Sequence, residues 1–261
     1  MRGFALLLLF VSTVASAQIS SQKIGEATTP QNTGASVAVS PKNPRNIVVY
    51  AGGKILYSND LGATWKDTPL TLPSDIFETP TLACDARGNF LVFYTTANQL
   101  TCNHSTDDGQ TWSEPTAVAP APGKVQYNPG IGTHPKKEDL MVTWTEVDAL
   151  RSGEDCKSNV YMSTSGGLGK KWSAAVLVNQ NSGNCVDEDF TLRGSAPMIA
   201  FDGKVFITWA AQGAMFYDRS YDGNMWISTD LAIKEQAGGW TLPVPGFGKV
   251  TNTPSFAGDN S

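Results

Sequence analysis

Histidine is nearly absent: the 261 residues hold two, His104 and His134. His104 falls on a predicted strand and His134 in a predicted turn, which removes support for a histidine metal centre or a Ser-His-Asp triad. Charge is also sparse, at 16% of residues, and 19 basic side chains face 24 acidic ones. A nucleic-acid partner would want a basic face, so that class is set aside. After the first twenty residues no apolar run is long enough to span a bilayer, and no helical periodicity is sustained. Cysteine is scarce too. Cys84, Cys102, Cys156 and Cys185 permit three full pairings, and spacing alone does not choose among them.

What is present begins with MRGFALLLLFVSTVASAQIS, where Arg2 precedes an apolar run from Phe4 to Val14 and small residues at Ala15 and Ala17. This pattern predicts a signal peptide over residues 1–17, cleaved after Ala17, and a secreted or periplasmic mature chain without a membrane span. Residues 18–34 form its leader. Abundant glycine (25) and proline (15) predict short strands joined by many turns.

Four segments then share one order: a strand, a polar turn, a strand ending in an aromatic, a third strand, and a Ser/Asp/Gly turn closed by Trp. First strands read SVAVS from Ser36, PTLACD from Pro80, NPGIG from Asn128 and APMIAFD from Ala196. Second strands read NIVVY, FLVFY, LMVTW and VFITW, which puts Tyr50, Tyr94, Trp144 and Trp209 in register. The closing residues Trp65, Trp112, Trp172 and Trp226 are spaced by 47 to 60 residues. Such units of four strands predict propeller blades at about 35–75, 76–124, 125–192 and 193–240. A β-sandwich explains short strands equally well, but not a turn repeated at one fixed place in each unit.

That turn is SNDLGATW (Ser58, Asp60, Gly62, Thr64, Trp65) and again STDDGQTW (Ser105, Asp107, Gly109, Thr111, Trp112). STSGGLGKKW is aligned from Ser163 through Gly167 to Trp172, with two extra residues and Ser165 in the Asp position. SYDGNMW (Ser220, Asp222, Gly223, Trp226) is one residue short. These turns resemble the Asp box, or BNR repeat, of the sialidase-like β-propeller superfamily, over about residues 35–240. The resemblance implies an all-β propeller of four-stranded antiparallel blades, six in the full-length protein. It also implies an Asp acid/base, a Tyr nucleophile activated by Glu, and an Arg cluster that grips the sialic acid carboxylate. The Arg-Ile-Pro motif expected before the first Asp box is missing; NPRNIVVY stands there instead, with Arg45 in a turn on the wrong face.

Each residue of the repeated turn has a structural job: Ser and Asp bond nearby backbone N–H groups, Gly takes positive φ, and Trp covers an apolar seam. Strand alternation places these turns on one face and the variable loops on the other, where chemistry is expected. Two loops stand out there, TEVDALRSGEDCKSN from Thr145 and the crossing NQNSGNCVDEDFTLRGSAP from Asn179. Each carries one cysteine, which predicts a Cys156–Cys185 disulfide worth about 3 kcal/mol, with Cys84 and Cys102 as buried free thiols. Candidate catalytic residues are Asp187, Asp189, Arg193, Glu146 and Arg151, with Asp148, Glu154, Asp155, Asp75 and Glu78 around them. A solvated rim is the alternative for all of these charges. No cofactor is expected; Asp187-x-Asp189-x-Thr191 offers oxygens for Ca²⁺ but lacks an EF-hand pattern.

Residues 241–261 are read as the start of an incomplete fifth blade, because TPSFAGDN near the end resembles TPTLACDARGN of the second unit. Four blades and a fraction leave a six-bladed ring open, which predicts a piece of a longer chain. A terminal strand shared with N-terminal residues and a second chain are the alternatives. The functional expectation is a secreted glycoside hydrolase of exo-sialidase type acting on extracellular glycans, or a non-catalytic carbohydrate- or protein-binding propeller. Oligomeric state is not legible in the sequence.

Overall fold

The computed structural model describes residues 23–24, 34–76, 78–96, 99–153, 155–186, 188, 190–222, 226, 229–235, 241–246, 248–251, 254–255 and 257. Residues 1–17, read as a signal peptide, most of 18–34, Glu154, Asp187, Asp189 and Gly223 lie outside the described residues.

Antiparallel sheets of four strands each form the body of the molecule. They comprise β1 (Ser36–Val39), β2 (Ile47–Ala51), β3 (Lys54–Ser58) and β4 (Lys66–Asp67); then β5 (Thr81–Cys84), β6 (Phe90–Thr96), β7 (Gln99–Ser105) and β8 (Thr116–Ala117). The third sheet holds β9 (Val125–Thr133), β10 (Leu140–Val147), β11 (Ser158–Ser165) and β12 (Val176–Leu177). The fourth holds β13 (Arg193–Ile199), β14 (Val205–Ala211), β15 (Ala214–Ser220) and β16 (Leu231–Glu235), and a hairpin of β17 (Thr241–Val244) and β18 (Gly248–Thr251) follows. Every sheet runs in chain order, and β1 packs on β5, β5 on β9 and β9 on β13. The first strands thus converge on a common axis, as in the blades of a propeller. Three of the outer strands are only two residues long, which leaves little free edge for pairing with other chains.

Sandwiching between neighbours explains why the second strands are apolar at nearly every position rather than at alternate ones. On β6, Phe90, Val92 and Tyr94 pack with Val48, Tyr50 and Ile55 of the first blade. From the opposite face of β6, Leu91 and Phe93 pack with Leu140, Val142 and Trp144 of the third. Met141 and Val160 meet Ile207 and Trp209 of the fourth in the same way. Trp144 and Trp209 are essentially excluded from solvent, and each contributes on the order of 3 kcal/mol of burial.

The second, third and fourth repeated turns fasten their blade to the blade before it. In the second turn the Ser105 hydroxyl donates to Asp107 Oδ1 (2.8 Å) and accepts the Gly109 N–H (3.0 Å). Thr111 donates both its N–H (2.9 Å) and its hydroxyl (2.6 Å) to the Asp107 carboxylate. The first turn repeats this with Ser58, Asp60, Gly62 and Thr64. Gly109 has φ of 87°, and a Cβ there would lie 2.6 Å from Val48 Cγ2 of the preceding blade. Only glycine allows that approach. Trp112, Trp172 and Trp226 each join the cluster shared with the preceding blade.

The third turn corrects the sequence alignment by two residues. Leu168 and Gly169 carry the positive φ values that Asp108 and Gly109 carry in the second turn, and Gly169 stands three residues before Trp172. Its would-be Cβ lies 3.0 Å from Cys102 Sγ of the preceding blade. Ser165 and Gly169, not Ser163 and Gly167, therefore occupy the Ser and Gly positions, and no residues are inserted. Gly167 stands where Asp would be, and the buried Ser165 hydroxyl has no hydrogen-bond partner. Ser163 instead donates to the Ser173 carbonyl (2.8 Å). In the fourth turn the Ser220 hydroxyl reaches Asp222 Oδ1 (3.1 Å), and Ser220 bridges to Trp226.

Candidate functional site: the axial cavity of the loop face

Two β-bulges build the site. On β9, Thr145 pairs with Tyr127 and Thr143 with Gly130, so Asn128 and Pro129 together oppose Trp144. On β13, Ala210 pairs with Arg193 and Thr208 with Ala196, so Gly194 and Ser195 together oppose Trp209. Asn128 (φ 54°) and Gly194 (φ 67°) take the same left-handed backbone at the same step. Bulges re-aim the side chains around them, and both of these open onto the axis. Gly130 allows the two strands to meet, because a Cβ there would fall 2.1 Å from the Ser195 carbonyl oxygen.

The result is a cavity of about 400 Å³ lined by Glu78, Thr79, Thr81, Asn128, Arg193 and Ser195, with the buried Pro254 from beyond the hairpin. Glu78 is clamped to the first bulge: its carboxylate accepts the Asn128 N–H (2.7 Å) on one oxygen and the Asn128 side-chain amide (2.9 Å) on the other. Burial pushes the Glu78 carboxyl up, while the Asn128 donors and the Arg193 charge pull it part of the way back. The Arg193 guanidinium stands 5.8 Å from the centre of the Tyr127 ring, within cation–π range. Ser195 donates to the Thr143 hydroxyl (2.9 Å), which locks the second bulge to its neighbour. Its described lining thus offers one carboxylate, one cation and several hydroxyls to a polar ligand.

Of the candidate residues, Arg193 is brought to the axis together with Glu78. It is the first residue of β13 rather than part of the crossing loop, because the bulge extends that strand three residues upstream of the apolar run. Glu146 stands away from the axial cavity, on β10, where burial raises its pKa and Trp144 Nε1 donates to it at 3.3 Å. Asp148 pairs with Lys124 and accepts the Lys157 N–H (3.2 Å) at the edge of a second cavity of about 480 Å³. Arg151 sits at positive φ in the β10–β11 loop, and Asp75 and Asp155 are exposed. Thr191 is buried and donates to Asn184 Oδ1 (3.0 Å). Among the described residues, no group of three or more His, Cys, Asp or Glu side chains is arranged to hold a metal ion. Sequence reasoning missed Asn128 and Tyr127, which it left at or outside the edge of a strand.

Cys156 and Cys185 are disulfide-bonded with Cα atoms 5.4 Å apart, tying the β10–β11 loop to the crossing before β13. Val125, Tyr127 and Val147 pack beneath the bridge. Cys84 and Cys102 are free, and burial drives both thiols upward, Cys84 to about 12. His104 lies on β7; His134 is buried in the β9–β10 turn, where Nδ1 accepts the N–H groups of Lys136 and Lys137.

Sheet order, converging first strands and an axial cavity together define a β-propeller, and solved structures agree. A protein of unknown function from Dyadobacter fermentans DSM 18053 superposes with a TM-score of 0.53 at 16% identity, over 81% of this chain and 71% of its own. A mutant α-L-arabinofuranosidase from Fusarium graminearum, in complex with an iminosugar inhibitor, gives a TM-score of 0.53 at 18% identity over 84% and 73%. An ancestral GH74 enzyme gives 0.51 at 16% identity, over 80% of this chain but 29% of that one. No family model and no curated protein matches the sequence. No helix among the described residues is long and apolar enough to cross a membrane.

Proposed function

We propose that this chain is an exported, glycan-active propeller that takes the terminal sugar of an extracellular glycan into the axial cavity. The observation that carries the reading is the clamped Glu78–Asn128–Arg193 group at the mouth of the ring. Arg193 offers a planar fork suited to a sugar carboxylate, which favours acidic sugars such as sialic acid. Glu78, holding its proton to higher pH than an exposed carboxyl, is our candidate for a general acid on a glycosidic oxygen. The Cys156–Cys185 bridge is in keeping with an oxidising compartment and with removal of residues 1–17.

A binding role is the second reading, and one observation favours it. Most glycosidases set two carboxyl groups about the scissile bond, whereas Glu78 is the only carboxylate among the described lining residues. Assay of the purified full chain with fluorogenic sialoside and arabinofuranoside separates the two readings. Turnover that falls at least roughly 100-fold in Glu78→Gln supports hydrolysis, as expected for loss of a general acid. No release at any pH between about 4 and 8, with sugar binding that depends on Arg193, replaces hydrolysis by recognition. Mass analysis of the exported protein should show cleavage after Ala17.

A further inference from the structure

Phe190 exposes 60% of its surface, yet the backbone that carries it is tied down on both sides. The Phe190 carbonyl accepts the Asn184 N–H (2.9 Å), and the Thr191 N–H bonds the Glu188 carbonyl (2.8 Å). Leu192 is buried, and its N–H donates to the Ser158 hydroxyl (3.0 Å). Gly183 lets the chain close under this segment: a Cβ there would lie 2.1 Å from the Phe190 carbonyl oxygen. The disulfide holds the same crossing to the β10–β11 loop. A mobile loop could fold its aromatic ring away from water; this one is held by its neighbours while the ring stays out.

Beside the ring lies an open cavity of about 580 Å³, lined by Asp155, Lys157, Ser182, Asn184 and Gln212. Three connections of the loop face contribute to it: the β10–β11 loop, the crossing, and the β14–β15 turn, in which Gln212 has positive φ. A fixed apolar face beside hydroxyl, amide and charged groups matches the chemistry of a sugar ring, whose C–H face stacks while its hydroxyls bond. Arg193 of the axial cavity is three residues further along the chain, so the two cavities lie within roughly 10 Å of backbone of each other.

We infer that Phe190 and the cavity under the disulfide form a second saccharide subsite, which holds the next sugars of a glycan whose terminal residue sits in the axial cavity. This rests on the axial reading above and makes the substrate class an oligosaccharide rather than a single glycoside. The test is calorimetric titration of the full chain, Phe190→Ala, Phe190→Trp and Arg193→Ala with sialyllactose and linear arabinotriose, and with free sialic acid and arabinose. Phe190→Ala should weaken a trisaccharide roughly three- to tenfold, leave its single sugar unchanged, and be rescued by Phe190→Trp. Unchanged trisaccharide binding in Phe190→Ala, with loss in Arg193→Ala, overturns the subsite and leaves the axial reading standing. Loss in Phe190→Ala with none in Arg193→Ala removes the axial reading and overturns the subsite as its extension, leaving Phe190 as a sugar contact of its own. Failure of the unsubstituted chain to bind either trisaccharide at millimolar concentration overturns the subsite.

Discussion

Two carboxylates on opposite faces of the ring, Asp107 and Glu78, each accept hydrogen bonds from nearby residues, Ser105 and Thr111 for the first and Asn128 for the second, and the outcomes differ. On the turn face, burial is the largest single influence on Asp107 and raises it, but three donors from Thr111 and Ser105 together outweigh this and hold it below the usual range. Asp60 in the first turn, with the same donors, falls to about 2. On the loop face, burial wins over the two Asn128 donors, and Glu78 is raised. The turn carboxylates are thus favoured as anions and engaged within their own turns. Glu78 holds its proton to higher pH than an exposed carboxyl and faces a cavity. The same residue chemistry yields a fastener where donors outnumber buried surface, and a candidate acid where they do not.

Breaking the covalent tie of the loop face should have the largest effect. Replacing Cys156 and Cys185 by Ser is expected to lower unfolding free energy by about 3 kcal/mol in denaturant titration, and to weaken sugar binding through loss of the held crossing. Next, Arg193→Ala should reduce binding or turnover by roughly 100-fold, about 2.7 kcal/mol, while the thermal midpoint moves little. The converse belongs to the turn face: Ser105→Ala should cost about 1–2 kcal/mol of stability, through an orphaned Gly109 N–H, and leave sugar binding unchanged. An Arg193→Ala protein that unfolds readily, or a Ser105→Ala protein that loses binding, would erase the distinction between the faces.

Restoring the third turn sharpens it. Gly167 has ordinary φ, and a Cβ there meets nothing closer than Glu138 Oε2 at 3.9 Å. Gly167→Asp should therefore give the orphaned Ser165 hydroxyl an acceptor and raise stability by about 0.5–1 kcal/mol in the same titration. The smallest effect is the pH dependence, and its sign differs between faces. Lowered pKa values at Asp60 and Asp107 contribute stability that is present above the unfolded value near 3.8 and lost as pH falls through their folded values, about 2 for Asp60. Glu78, raised from 4.5, has the opposite slope: stability is lost as pH climbs from 4.5 through its folded value. Titrating Glu78→Gln beside the parent should remove only the second slope.

The blades were legible because their second strands are buried on both faces, which writes IVVY, FLVFY, LMVTW and VFITW as unbroken apolar runs. The turn chemistry was legible because Ser, Asp, Gly and Thr bond within eight residues of one another. The third turn slipped because Ser163 and Ser165 alternate on one strand, and only the backbone of Leu168 and Gly169 tells them apart. The axial site was half legible. Arg193 and Glu78 drew attention as loop charges, but Asn128 reaches the axis through a bulge, and a bulge is an offset between two strands that neither strand's periodicity records. The trace it left was the pair of steps Tyr127-Asn128-Pro129-Gly130 and Arg193-Gly194-Ser195-Ala196. Each has a residue tolerant of left-handed backbone two places before the next regular pair.

Gly109 and Gly169, which press the second and third turns against the blade before, also suggest a direction of assembly. A ribosome delivers the first blade before the second, so Gly109 and Trp112 emerge to find Val48 and Tyr57 already made, and Gly169 and Trp172 find Leu91 and Cys102. The second and third blades therefore each meet, on their turn side, a surface already synthesised when they arrive, and assembly in chain order is the expectation.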